Sequence, residues 1–438
     1  MWVIVSASPR SSIPGVTWPL APERPYTPVV TRTTPAGAIP DLLSAIPRPS
    51  NALSFVSEGE GIVGWGCFAR FESSGPHAAA DIAQWWAHLC ERLTIVDDVG
   101  RAGTGPIVFV SLGFTDDDRS VAIVPRVLLG SRDGRRFTTV IGDPGVDAMG
   151  STIPIRGPGQ VVYSDGAFPV EAYTRAVGTA VDRIRAGALD KVVLAHDLVA
   201  STELPVDERY LLTRLAAAYP TCWTYAVDGL VGASPEMLVR RHGRRVSSRV
   251  LAGTAWPEHA GEHTAGLVAT HLLASRKDLA EHGFAVESVA AVLRAFTDDV
   301  RVPRAPRALP LANLTHLVTD ISARLPAHQD RTVLSPTSAL SLAAKLHPTA
   351  AVGGSPRDAA LRLIGELEPT GRGRYAAPIG WMDHRGNGEF ALALRCAQVS
   401  AHEVRLTAGC GIVADSEPEV EAREAQIKMI PIRDALGS

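Results

Sequence analysis

The chain has 438 residues, 46% of them hydrophobic and 20% charged, with 43 Lys+Arg against 46 Asp+Glu and a net charge of −3. That balance excludes an intrinsically disordered chain, which needs low hydrophobicity and high net charge, and it offers no basic footprint for nucleic acid. Five scattered cysteines without a CxxC pair argue against a disulfide framework or thiolate zinc, and no apolar run approaches the roughly 20 residues of a membrane span, so a cytoplasmic setting with no membrane partner is expected.

Ten of the 32 prolines fall in residues 1–50, which predicts an irregular lead-in. Strand-like runs follow at 61–71, 106–114, 121–130 and 136–142, with a helix over 78–93 between the first two. Gly and Pro concentrate between Asp143 and Ala167, which places a boundary there: residues 1–165 form an N-terminal part and 166–438 a second. The second part opens with a helix over 170–189 and a strand over 191–200. A helix near 207–218 leads to strands at 223–229, 236–242 and 245–253, with turns at Asp228-Gly229 and His242-Gly243. Val268, Leu272, Leu279, Val286 and Leu293 form one apolar stripe, predicting a long helix over 263–296. After a helix near 356–366, a hairpin pairs 390–399 with 403–413, and a last helix starts near Ser416. The elements mix without strict βαβ alternation. The expected class is α/β in the broad sense, α+β, with antiparallel sheets flanked by helices rather than a doubly wound fold.

Only four of the basic residues are lysines: Lys191, Lys277, Lys345 and Lys428. Arginine keeps its proton in a protein, whereas a lysine can be tuned to act as a base, so each lysine is singled out. In the last helix Ser416 is the expected cap, with Glu419 completing a capping box and Pro418 in the first turn. Glu417, Glu421, Glu424 and Lys428 then share a face, which could hold a hard divalent cation or form a solvated, salt-bridged surface. Lys191 opens a strand beside Val193 and Ala195, either as an edge residue or as a desolvated amine. The bend Gly232–Pro235 delivers Glu236 beside Met237 and Leu238, as an acid of raised pKa or as a surface residue. Gly409 and Gly411 bracket Cys410, where backbone N–H groups can approach an anion or the strand can bulge. Arg395 sits within a predicted strand and needs an anionic partner, internal or a ligand's. His316 and His347 each read as structural when taken alone. There is no HExxH, GxSxG, GKS/T or strand-following GxGxxG, so zinc protease, serine hydrolase, P-loop and Rossmann functions lose support.

Together the segments LDKVVLAH, GASPEMLVR, LAGTA, LLASRKDLAEH, LHPTAAVGGSP, GRYAAPIGW, GNGEFALALRCA, RLTAGCGIV and SEPEVEAREAQIK resemble the chorismate-utilising enzymes, the family of isochorismate, salicylate, anthranilate (component I) and aminodeoxychorismate synthases. The match keeps order and spacing from about residue 168 to 432. It is fainter before that, in GEGIVGWGCFARFE, which suggests one large domain with a chorismate-binding catalytic region over 166–438. The resemblance implies Mg²⁺ held by Glu281 and Glu424, with Glu421 supporting through water. It implies Lys191 as the base that activates water and Glu236 as the acid for the departing C4 hydroxyl. Gly253, Thr254, Gly411 and Lys428 would hold the ring carboxylate of chorismate, and Tyr375 and Arg395 its enolpyruvyl carboxylate, with His316 near the ring.

Within that family a lysine at Lys191 points to water rather than ammonia as nucleophile, and Ala252 replaces the lysine that the aminodeoxychorismate branch often carries. No glutamine amidotransferase subunit is therefore expected, and the chain would act as a monomer or homodimer. Ala351, where salicylate synthases typically show Thr, and Leu314-Thr315 before His316 favour isochorismate synthase. Salicylate synthase is the alternative, and a non-catalytic chorismate- or metal-binding regulator is the third.

Overall fold

Asp228 and Gly229 both take positive φ, 53° and 74°, the two-residue turn whose twist suits a hairpin, and fold Trp223–Val227 onto Leu230–Ser234. The same local rule, repeated, builds most of the molecule from antiparallel neighbours. The computed structural model describes residues 5–6, 29–37, 41–142, 152–256, 265–312, 314–327 and 332–437.

One sheet runs, in spatial order, through Val161–Asp165, Lys191–Thr202, Glu403–Ile412, Cys396–Ser400, Leu230–Ser234, Trp223–Val227, Leu53–Ser57, Glu60–Ser73 and Ser120–Arg132. The sheet then forks. One end of Ser120–Arg132 pairs with Arg135–Ile141, which continues to Val29–Pro35 and Leu93–Asp97. The other end pairs with Ile107–Ser111, which starts a second sheet through Pro378–Asp383, Gly388–Leu392, Met237–His242, Arg245–Ala255 and Thr315–Arg324. Pro125 lies at the fork. It has no N–H to give the ladder, and opposite it the register shifts between Cys67 and Ala69, a bulge that bends the strand away from flat pairing.

The chain passes between the two sheets at two adjoining points. Leu230–Ser234 belongs to the first sheet and Met237–His242 to the second, so Pro235 and Glu236 form one crossing. Gly388–Leu392 and Cys396–Ser400 divide likewise, so residues 393–395 form the other. Leu392 donates to the Glu236 carbonyl and Ala233 to that of Arg395, each at 3.2 Å, which fastens the crossings side by side. Helices pack on the outer faces: Val170–Arg185 on Lys191–Thr202, Pro418–Leu436 on Glu403–Ile412, and Arg276–Arg294 on Arg245–Ala255. The main core spans both sheets and includes Trp86, Phe109, Tyr173, Trp381 and Phe390.

Several expectations are corrected. The predicted 263–296 helix is two helices, Ala265–Ala274 and Arg276–Arg294. Ser275 has extended φ/ψ and its hydroxyl accepts from Asp278 N, capping the second helix; residues 263 and 264 lie outside the described residues. The apolar stripe divides accordingly: Val268 and Leu272 pack with Leu279, Ala255 and Leu317 in a small cluster, while Leu293 joins the main core. The predicted strand 390–399 is two strands in different sheets, parted at Arg395, whose φ of 49° no continuous strand allows. Only Cys396–Ser400 forms the hairpin with Glu403–Ile412. The last helix is Pro418–Leu436 with Glu417 at its N-cap; Ser416 instead accepts from Val413 N. The lead-in holds the seven-residue strand Val29–Pro35. The expected boundary segment contains Val161–Asp165, paired with Lys191–Thr202, while its residues 143–151 lie outside the described residues.

Candidate active site

Lys191 begins its strand fully buried, at 0% exposure. The strand is central, with Glu403–Ile412 on one side and Ser355 and Val161–Asp165 on the other, so the edge-residue reading fails. Lys191 Nζ stands 3.0 Å from Glu281 Oε1, an ion pair whose angles fall short of a hydrogen bond. Gly411 makes this approach possible. A Cβ there would collide with Glu281 Oε1 and stand 2.8 Å from Lys191 Cε. Gly409 and Gly411 pair in an unbroken ladder with Ala195 and Val193, so they serve close approach and form no bulge.

Glu236, at the first crossing, is 4% exposed, not on the surface. Burial pushes its pKa up to about 8, against the backbone N–H of Leu251 and the charges of Lys191, Arg395 and Lys428, which pull it down. At neutral pH it therefore carries a proton it can give.

On the last helix Glu421, Glu424 and Lys428 turn inward while Glu417 is exposed, so the predicted four-residue face contributes three members. Lys428 Nζ lies 2.6 Å from Glu424 and donates to the Gly409 carbonyl at 3.0 Å. Burial opposes the charge of Lys428, and the Glu424 carboxylate overrides it, holding its pKa above the usual lysine value. Burial and the adjacent Glu424 push Glu421 up to about 7, partly offset by Lys277 at 2.7 Å. For Glu424 burial acts upward, but Lys428 prevails and holds it below the usual value. Oxygens of Glu421 and Glu424 lie within 4.8 Å of each other and of Cys410 Sγ, whereas Glu281 stands outside that group, on Lys191. Two crowded, buried carboxylates with a third across the Gly411 gap form an oxygen donor set suited to a hard divalent cation. Burial pushes the Cys410 thiol well above its usual pKa, and it donates to the Glu421 carbonyl.

Across the cavity, Gly253 (φ 76°) is the extra residue where the Arg245–Ala255 register shifts, which sets Thr254 opposite His316. Arg395 Nη2 contacts His316 Nε2 at 2.9 Å, and Thr254 Oγ1 contacts His316 Nδ1 at 3.1 Å. Burial, then the charges of Arg395 and Lys428, hold His316 well below the usual histidine pKa, so the ring is neutral. Tyr375 is 7% exposed, and burial pushes its phenol up to about 12. Glu236, Gly253, Thr254, Glu281, His316, Tyr375, Arg395, Gly411 and Lys428 line one narrow cavity of about 60 Å³; Lys191 lies against Gly411, Glu424 adjoins it on Lys428, and Glu421 lies beside Glu424. The structure thus brings together the residues that the family resemblance names, at or directly beside this cavity, and leaves Glu417 outside. His347, by contrast, bonds the Phe114 carbonyl at 3.0 Å and is structural.

Sequence reasoning gave no role to Lys277, Cys410 or His282. Lys277 had a signal, its rarity: three of the four lysines meet here, and only Lys345, exposed over the Phe296 ring, lies elsewhere. His282 Nδ1 faces the Ala252 carbonyl at 3.1 Å and Nε2 faces Thr319 Oγ1 at 2.7 Å, which fixes the Glu281 helix on the second sheet. No sequence signal marks that role.

Residues 156–437 match the family described as chorismate binding enzyme. The chain is 30% identical over 401 residues to isochorismate synthase EntC of Escherichia coli K12, covering 88% of this chain and 95% of that one. It is 32% identical over 403 residues to the salicylate biosynthesis isochorismate synthase of Pseudomonas aeruginosa, covering 85% and 82%. In fold it is similar to the menaquinone-specific isochorismate synthase MenF of Escherichia coli, with a TM-score of 0.75 at 24% identity over 94% of this chain and 96% of that one. The cavity between the sheets, the match over most of the chain and these relatives agree, and the chain belongs to the chorismate binding enzyme family.

Proposed function

We propose that the protein is a Mg²⁺-dependent isochorismate synthase, an isomerase that feeds menaquinone or siderophore biosynthesis. The observation that carries this reading is a pair: Glu236 on the cavity, its pKa raised by burial to about 8, and the buried Lys191 beside Gly411, which lines the same cavity. Hydroxide is a poor leaving group, so the C4 oxygen must depart as water, and Glu236 supplies the proton. The entering water gives its proton to the free amine of Lys191, which must first part from Glu281 and lose its own proton. One C–O bond forms at C2, the double bonds shift, and one C–O bond breaks at C4. Water enters and water leaves, and proton exchange with solvent resets both side chains. Arg395 and Tyr375 orient the enolpyruvyl carboxylate, while Lys428 and the backbone at Gly253, Thr254 and Gly411 receive the ring carboxylate. The oxygen donors of Glu281 and Glu424, with Glu421 behind them, fit Mg²⁺, which would neutralise the ring carboxylate. A water nucleophile needs no ammonia-supplying subunit.

The test is product analysis after incubation with chorismate and Mg²⁺, with and without EDTA. Isochorismate should form only without EDTA; free pyruvate with salicylate would make the protein a salicylate synthase, and tight binding without any product would make it a regulator. Lys191→Ala should lower turnover by at least about 10²–10⁴-fold while sparing Mg²⁺-dependent chorismate binding. Retained turnover in that variant would remove Lys191 from its role.

A further inference from the structure

Away from the catalytic cavity, the second sheet gathers cations on one patch. At this end its strands lie in the order Val300–Arg301, Thr315–Arg324, Arg245–Ala255 and Met237–His242. Two cross-strand rows follow from the register. Arg301, Ser322, Ser247 and Arg240 stand side by side in one, and Arg324, Arg245 and His242 in the next. Directly opposed residues share a face, so the exposed Arg245 and Arg324 set two positive charges against each other, a destabilising arrangement. These side chains line a concavity of about 450 Å³ in which Asp299 is the one acid among the described residues. Asp299 approaches Arg301 only to 3.5 Å, and Glu389, which holds Arg240 at 3.2 Å, is shared with Arg132 and His242. Among the described residues, the guanidinium groups of Arg245 and Arg324 and the hydroxyls of Ser247 and Ser322 have no hydrogen-bond or ion-pair partner.

We propose that this concavity binds a phosphate-bearing small molecule, its anion held between Arg245 and Arg324, with Ser247 and Ser322 as further donors and Arg240 and Arg301 at the flanks. A guanidinium offers only donors, in a fork that meets phosphate oxygens two at a time, and a hydroxyl can donate to the same group. The volume falls within the roughly 300–1,000 Å³ of small-ligand pockets, which favours a compact ligand over an extended polyanion. The site is separate from the catalytic cavity, since Arg324 lies roughly 26 Å of extended strand from His316. It is therefore independent of the reaction performed there. A bound anion would also remove the repulsion between the two opposed arginines, and a ligand held only by the folded chain stabilises it.

Calorimetric titration of the whole chain with inorganic pyrophosphate, in metal-free buffer at about 0.15 M salt, tests the site. One saturable site is expected. Its affinity should fall at least about tenfold in Arg245→Gln and in Arg324→Gln. It should be unchanged in Arg294→Gln, which alters an exposed arginine paired with Glu287 elsewhere. Malonate, a dicarboxylate, should bind at least about tenfold more weakly than pyrophosphate. In thermal unfolding, pyrophosphate should raise the Tm of the native protein and of Arg294→Gln, but not that of Arg324→Gln. Without ligand, Arg324→Gln should melt no lower than the native protein, because it removes a repulsion. Absence of saturable binding to the native protein, or undiminished binding in Arg245→Gln or Arg324→Gln, would overturn the site. So would a lower ligand-free Tm in Arg324→Gln, which would mean that the fold itself uses that charge. Malonate binding as tightly as pyrophosphate would overturn the assignment to phosphate.

Discussion

At the scale of single residues, scarcity was the most informative signal. In a chain that uses arginine almost everywhere, three of four lysines stand against buried or half-buried carboxylates: Lys191 on Glu281, Lys277 on Glu421 and Lys428 on Glu424. Glu236 shows the opposite design, a carboxyl kept neutral by burial. Its pKa near 8 in the folded state lies above the usual 4.5, so between these values the folded protein holds a proton that the unfolded chain has lost. The stability from this group is therefore complete below about pH 4.5 and lost as pH rises through about 8. Urea unfolding at pH 5 and pH 9 should show a larger loss of stability in the native protein than in Glu236→Gln; equal losses would mean that Glu236 is not buried as a neutral acid. In activity, kcat/KM should fall on the alkaline side near pH 8, and Glu236→Gln should lose about 10²–10⁴-fold of it.

At the scale of elements, breaks place the site. A continuous helix over 263–296 would carry Val268 and Leu272 on the same apolar stripe as Leu293, but Ser275 restarts the helix and sets a new phase. Lys277 and Glu281 then project toward the last helix and the Gly411 gap. Ser275→Ala removes the side-chain cap on Asp278 N and should cost about 1 kcal/mol in urea unfolding; an unchanged midpoint would show that the hydroxyl does not cap this helix. The break at Arg395 matters equally. A continuous strand there would leave the arginine within one sheet, whereas the positive φ puts it at a crossing next to Glu236. Hydrophobic periodicity cannot reveal such breaks, because each half retains the pattern of an unbroken element.

At the scale of the whole molecule, the segment before residue 143 and the region after 166 share ladders. Ile107–Ser111 pairs with Pro378–Asp383, and Leu53–Ser57 with Trp223–Val227. Scanning calorimetry should show one unfolding transition, and residues 166–438 expressed alone should not fold to a stable species, because two central strands lose a neighbour each. Two separated transitions, or a stable fragment, would show that the shared ladders do not make one cooperative unit. The sequence alone determined the composition class, most local elements with their turns, and, through the family resemblance, which residues to look for at the candidate site. Tertiary structure alone decided that Lys191 is central and not at an edge, that burial raises the pKa of Glu236, that the strand through Arg395 is broken, and that Lys277 pairs with Glu421 and His282 bonds Ala252 and Thr319. The physical reason is that pKa, exposure and sheet membership depend on neighbours distant in the chain, and a local pattern of side chains records which faces are apolar but not what will cover them.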